Sequence, residues 1–141
     1  MSVACIFCDI VAGKAEASPV FEDEHVMAFM DIRPMTPGHL LVIPRQHATD
    51  LSELPPELAG PLFGTAQKMA AALRKSALKP AGINLFLADG VAAGQEVFHV
   101  HLHVLPRNTG DGFGLRGSFS WPHRMSLDAH AAQIRSACEF L

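Results

Sequence analysis

Apolar residues return along this chain with two different periods, and the switches between them mark its elements. Ile6 to Val11 is a short apolar helical segment that Gly13 stops. Val20-Phe21 and Val26 to Asp31 read as two strands joined across the charged turn EDEH, which is a hairpin pattern. The segment RPMTPGH, punctuated by Pro34, Pro37 and Gly38, releases into a third strand over His39 to Ile43, which Pro44 ends. From Pro55-Pro56, suited to a first helical turn, Leu58, Leu62, Ala66, Met69 and Leu73 recur at steps of three and four until Pro80 forbids continuation. This is the main amphipathic helix. Ile83 to Leu87 is a fourth strand, and ADGVAAGQ a flexible connection to a fifth. Ser126 is placed to cap a last helix whose apolar positions are Leu127, Ala131, Ile134 and Cys138. No repeat or linker interrupts the series, so one domain over residues 1–141 is expected. The order of elements predicts an α+β fold with a mainly antiparallel five-stranded sheet, a long helix and a carboxy-terminal helix.

The fifth strand carries the chemistry. Between Phe98 and Arg107 the chain reads HVHLHVLPR, so His99, His101 and His103 alternate with Val100, Leu102 and Val104. Residues two apart on a strand share a face and stand roughly 6.6 Å apart. The pattern therefore predicts three imidazoles on one surface and three branched aliphatics buried on the other. Imidazole is the side chain best suited to proton transfer, nucleophilic attack and metal binding near neutral pH.

Composition narrows the partners. The 141 residues are 49% apolar, with a formal charge of -3 and eleven Lys and Arg spread along the chain. No basic stripe is present that would track a nucleic-acid backbone, so no nucleic-acid partner is expected. The start lacks a basic segment followed by a long apolar run, and no stretch approaches the roughly 20 apolar residues that span a bilayer. A soluble cytoplasmic protein without membrane attachment is expected. Cys5 and Cys8 form a CxxC pair and Cys138 stands alone, too sparse for a disulfide framework. The pair alone fits metal binding, redox chemistry or simple burial, and two thiolates still leave a tetrahedral ion short of two ligands.

The alternating triad preceded by AGQEVF, together with CIFCDIVAGK near the start, VFEDEHVMAFMDI in the hairpin and PGHLLVIPRQH in the third strand, resembles the histidine triad (HIT) family of nucleotide hydrolases and transferases. These motifs stand in the family's order and cover most of residues 4–107. The resemblance implies a pair of protomers with continuous sheets. It further implies hydrolysis or nucleotidyl transfer at the α-phosphate of a purine nucleotide, through a nucleotidyl-histidine intermediate. A nucleoside 5'-phosphoramidate is the implied substrate, with a dinucleoside polyphosphate as the alternative. A module that chiefly binds nucleotides or partners, with incidental hydrolysis, is a third reading.

By the same resemblance His101 is the nucleophile, its Nδ1 hydrogen resting on a backbone carbonyl near His99. His103 hydrogen-bonds the phosphate or the departing group, and His39 is a fourth histidine at the site. Read alone, His39 is more simply a histidine packed beside a strand end. Gly94 and Gln95 match the phosphate loop, although a turn before the strand explains the glycine by itself. Asp31 matches the acceptor of the ribose hydroxyls, and a carboxylate accepts two hydrogen bonds. Ile6, Phe7, Ile10, Ile32 and Leu41 match the apolar walls around the base, and each is equally an ordinary core position. Members with the CIFC start complete a structural zinc with the histidine after the third strand and the first of the triad, which here gives Cys5, Cys8, His47 and His99. The histidine route requires no catalytic metal.

The chain departs from the family pattern in three places. Ala88 stands where many phosphoramidase members carry asparagine, and DGVAAGQ looks more like the branch that cleaves dinucleoside polyphosphates. Glu96 replaces a small hydroxyl residue and would repel a nearby phosphate. His25, His123 and His130 read as solvated surface, and Trp121 as packing or as part of the pocket wall.

Overall fold

The two central strands are apolar at almost every position, and both of their faces are buried. In the computed structural model, which describes residues 4–141, β2 (Val26–Met30) pairs antiparallel with β3 (Leu40–Pro44) from Val26 against Pro44 to Met30 against Leu40. Side chains alternate across a strand. Val26, Ala28, Leu40 and Val42 therefore join one core cluster, while Met27, Phe29, Leu41 and Ile43 join another on the opposite face. Residues 1–3, included in the expected domain, lie outside the described residues.

Five strands form one antiparallel sheet in the order β1-β2-β3-β5-β4, with β1 at Pro19–Glu22, β4 at Gly82–Phe86 and β5 at Leu102–Arg107. The α+β architecture expected from the order of elements is the one observed. The long helix α2 (Ala59–Lys75), entered through a 3-10 turn at Pro56–Leu58, buries Leu62, Thr65, Ala66, Met69 and Leu73 on the first face. Burying each of its large apolar side chains contributes about 1.5–3 kcal/mol relative to exposure. The short helix α1 (Ile6–Val11) covers the other face with Phe7 and Ile10. The sheet is thus closed by α2 behind and only partly closed by α1 in front.

Three local expectations need correction. The period-two triad is not all strand: the β5 ladder begins at Leu102, so His101 lies in unpaired chain just before it and His99 in a bend over residues 97–99. The loop before the triad is not slack, since Val91–Ala93 form a 3-10 turn. Ser126 does not cap the last helix α3 (Arg124–Cys138), whose N-cap is His123. No side chain of α3 is buried, and Leu115, Phe119, Trp121 and Ile134 of the carboxy-terminal segment are exposed.

Candidate active site and metal centre

Strand register brings the front-face residues together. His103 sits directly opposite Leu41 of β3 and Phe86 of β4, and the Phe86 ring stacks on His103 with centroids 4.0 Å apart. His101, one residue before the ladder, meets the edge of Phe7 at 5.2 Å and the His103 ring at 4.9 Å. His39 enters from the turn before β3. Gly38 makes that turn with φ +92, a conformation that disfavours side chains with a Cβ. His39 itself has no exposed surface.

The hydrogen-bond partners fix the tautomers. The Nδ1 of His101 lies 2.7 Å from the carbonyl oxygen of His99, which can only accept, so Nδ1 carries the hydrogen and Nε2 is bare when the ring is neutral. The Met35 amide donates to Nδ1 of His39 at 3.1 Å, so a neutral His39 carries its hydrogen on Nε2. That Nε2 lies 2.9 Å from Nδ1 of His103. His103 is therefore the acceptor in this pair and holds its own hydrogen on Nε2. The chain of partners sets a bare nucleophilic nitrogen on His101 beside a donor on His103.

Electrostatics keep these rings neutral. Burial lowers the pKa of His101, against the His99 carbonyl and the Asp31 charge. Burial likewise lowers that of His39, against Asp31, with His101 adding to the fall. His103 is pushed down to about 4, first by burial and then by His101 and His39 beside it, while Asp31 pulls the other way. One Asp31 oxygen accepts from the Arg33 amide at 2.7 Å and the other lies 3.5 Å from Nε2 of His39. Asp31 thus stands at the histidine pair as well as at the rim.

Not every expected binding residue faces this site. Gln95 is 5% exposed, and its carboxamide is spent inside the protein. Its Oε1 accepts from the Gly90 amide at 2.8 Å, and its Nε2 donates to the Thr49 and Val97 carbonyls at 2.7 and 3.1 Å. The carboxamide expected at the phosphate is here a pin between the loop and residue 49. Gly94 has φ +91 and its amide bonds Val91, so the turn alone requires the glycine. The amides of Ala93 and Gln95 are also taken, both by the Gly90 carbonyl. Phe7, Ile10 and Leu41 are buried core, whereas Ile6 is half-exposed and Ile32 is 98% exposed, so the five do not form one wall within this chain. Sequence reasoning missed Phe86 and Met35, one the stacking partner of His103 and the other an amide that sets a tautomer. Neither position carries a composition signal; only the register shows them.

The second cluster lies at the amino-terminal end of α1. Cys5 is its N-cap, with the Cys8 amide donating to the Cys5 sulfur at 3.4 Å. The ligand atoms of Cys5, Cys8, His47 and His99 all lie within 4.8 Å of one another. The Nδ1 atoms of His47 and His99 are 3.2 Å apart, and sulfur to nitrogen separations are 3.3, 3.4 and 3.6 Å. A tetrahedral zinc with ordinary bond lengths would separate nitrogens by about 3.3 Å and nitrogen from sulfur by about 3.6 Å. His99 donates from Nε2 to the Pro44 carbonyl at 2.8 Å, which leaves its Nδ1 bare toward the cluster, as a metal ligand needs. Burial and the neighbouring Cys5 push the Cys8 thiol up to about 11, a shift that a cation held by both sulfurs would reverse. The donor set fits zinc, and Cys5, Cys8, His47 and His99 would hold it.

Asp31, His39 and His103 also converge closely enough to be considered as ligands. Here the tautomers argue against a metal. Nε2 of His39 carries a hydrogen because Nδ1 already accepts one, so coordination would require an imidazolate. This cluster is a hydrogen-bonded relay of rings.

The family model of the HIT domain matches residues 12–110. The chain is 48% identical over 111 residues to Protein hit of Bacillus subtilis, spanning 78% of this chain and 76% of that one. It is 33% identical over 132 residues to the adenylylsulfatase HINT3 of Arabidopsis thaliana, spanning 94% of this chain and 66% of the plant protein. The crystal structure of a Zn-bound histidine triad family protein from Mycobacterium smegmatis superimposes with a TM-score of 0.76 at 44% identity, covering 95% of this chain and 97% of that one.

Proposed function

The chain belongs to the HIT domain family, and from that premise we propose that it cleaves purine nucleotides at the α-phosphate through a covalent intermediate on His101. One observation carries the reading: the His99 carbonyl holds Nδ1–H of His101, so the bare Nε2 points away from it as a nucleophile. In the first step that lone pair forms a bond to phosphorus, and the bond to the departing group breaks with its electron pair, a phosphoramidate nitrogen taking a proton from solvent and leaving as the neutral amine. His103 donates from Nε2–H to a phosphate oxygen or to the departing atom, a direction that the His39 donor enforces. Water then attacks the nucleotidyl-imidazole, releases the nucleoside monophosphate and restores His101. Preorganised donors of this kind stabilise the charge that grows on the equatorial oxygens. Asp31 is left with lone pairs for ribose hydroxyls, and the amides after Gln95 supply the phosphate donors.

The preferred substrate in this proposal is a nucleoside 5'-phosphoramidate. Glu96 supports the choice, because its carboxylate, held by Arg33 at 3.3 Å, is 78% exposed one residue beyond the pin of the triad loop. A polyphosphate chain would meet that charge, whereas an amine leaving group would not be repelled. Zinc at Cys5, Cys8, His47 and His99 would serve structure, and the reaction steps are carried by imidazoles. Two protomers pair in this account, covering the exposed Leu115, Phe119 and Trp121; light scattering at working concentration reads the mass directly. The activity test sets an adenosine 5'-phosphoramidate against a diadenosine polyphosphate, with His101→Ala beside the native chain. Preference for the polyphosphate would replace the substrate assigned here.

A further inference from the structure

We infer that the Cys5, Cys8, His47 and His99 centre is a positioning device for the nucleophile, so that metal occupancy governs turnover and not stability alone. The inference rests on the reading of His101 given above.

The sheet ends one residue short of His101. The last pair between β3 and β5 joins Val42 to Leu102, and the last between β4 and β5 joins Phe86 to His103. His101 lies beyond both, so no ladder bond fixes its backbone. Its place depends on a seam between residues 95–100 and residues 44–49. Gln95 Nε2 donates to the Thr49 carbonyl at 2.7 Å, the Val100 amide to the Ala48 carbonyl at 2.8 Å, and His99 Nε2 to the Pro44 carbonyl at 2.8 Å. His47 and His99 bring their Nδ1 atoms to 3.2 Å across this same seam. An ion held by them would cross-link it.

His99 joins the two sites through three groups. Its Nδ1 faces the metal cluster, its Nε2 anchors to Pro44, and its carbonyl holds the Nδ1 hydrogen of His101 at 2.7 Å. The cysteines act from the other side. Cys5 and Cys8 begin α1, whose Phe7 ring meets His101 edge-on at 5.2 Å and His99 at 5.8 Å. Without a cation, the two thiols meet the His47 and His99 nitrogens only through weak S–H···N hydrogen bonds, so the cluster is free to relax by moving His47, His99 or α1. Moving His99 moves the carbonyl that selects the His101 tautomer. Moving α1 removes the ring that confines His101. Either displacement places hydrogen on Nε2 for part of the time and blocks attack.

The test compares native protein carrying one equivalent of Zn²⁺, the same protein stripped with a chelator, and stripped protein reloaded with Zn²⁺. Cys8→Ser gives an independent route to the metal-poor state. Three readouts are taken below the melting temperature: bound metal, kcat and KM for adenosine 5'-phosphoramidate, and the ¹⁵N shifts of His101. Stripping is expected to lower kcat roughly tenfold to a hundredfold. KM should stay within about threefold, since the loss falls on the reacting group rather than on ground-state binding. The His101 ring nitrogens should move from the Nδ1–H pattern to a mixture and return on reloading. Unchanged kcat and unchanged His101 shifts in the stripped protein would overturn the inference, as would failure of the folded chain to take up Zn²⁺. If loaded protein cleaves neither substrate class, the proposed function fails, while the ¹⁵N comparison still decides whether the centre positions His101.

Discussion

Replacing Gln95 by Ala separates a loop pin from a phosphate contact, and the structure gives the size of the effect. The side chain makes three hydrogen bonds, to the Gly90 amide, the Thr49 carbonyl and the Val97 carbonyl. At a net 0.5–1.5 kcal/mol each, their loss costs about 2–4 kcal/mol. Gly90, Thr49 and Val97 are themselves only half-buried, so water recovers part of the loss and about 2–3 kcal/mol is expected. A chain of this length melts with an entropy near 0.3 kcal/mol/K, so Tm should fall by about 7–10 °C. Gln95→Glu should do no better near pH 7, because a carboxylate accepts from Gly90 but faces two carbonyl oxygens it cannot donate to. Differential scanning calorimetry beside KM for the nucleotide checks both variants. An unchanged Tm with a raised KM would refute the pin and restore the phosphate contact that family resemblance implies.

Other consequences follow from the same geometry. His103 and His39 are held neutral on folding, so an unfolded chain binds protons that the folded pair refuses once pH drops below about 6.5. Stability should therefore fall as pH falls from about 6.5 toward about 4 and be indifferent to these groups above that window; urea midpoints of metal-free protein should show the slope, and His103→Asn should flatten it. Gly38→Ala meets two penalties, a φ of +92 and a Cβ placed 2.7 Å from Leu78 Cδ1 and 3.0 Å from Pro106 Cγ. It should cost about 2–4 kcal/mol and lower kcat by shifting His39, which denaturation and kinetics read together. Metal analysis should find one Zn²⁺ per chain, lost in Cys8→Ser and kept in His103→Ala; loss in the second would move the metal to the Asp31, His39 and His103 cluster.

The parts of this structure that the sequence makes legible are those governed by period and punctuation. Runs such as VMAFM and LLVIP announce buried strands, and the three- and four-residue steps from Leu58 to Leu73 announce α2, because burial imposes those spacings. The Cys5, Cys8, His47 and His99 set was readable only through resemblance, since two thiolates alone leave the other ligands open. What was not legible depends on partners distant in sequence. Alternation in HVHLHVLPR is the same whether or not the chain is paired, so it could not show that the ladder starts only at Leu102, after a bend over residues 97–99, and that His99 serves a different cluster from His101. Glutamine beside a glycine turn has the same chemistry whether it faces a phosphate or the Thr49 carbonyl. Ile32 and Leu41 are alike in type, yet one is exposed in a turn and the other lies under α1. Ser126 could cap a helix, but the helix begins two residues earlier, at Arg124.

The central claim is that Nε2 of His101 forms a covalent bond to the α-phosphorus. Its most direct test is rapid-quench mass spectrometry of the native chain mixed with adenosine 5'-phosphoramidate at neutral to alkaline pH, with His101→Ala in parallel. The account predicts an adenylyl adduct on the peptide containing His101 that forms and decays at catalytic rates, with turnover lost in the variant. Turnover that persists in His101→Ala, or that proceeds in the native chain with no adduct on that peptide, would contradict it.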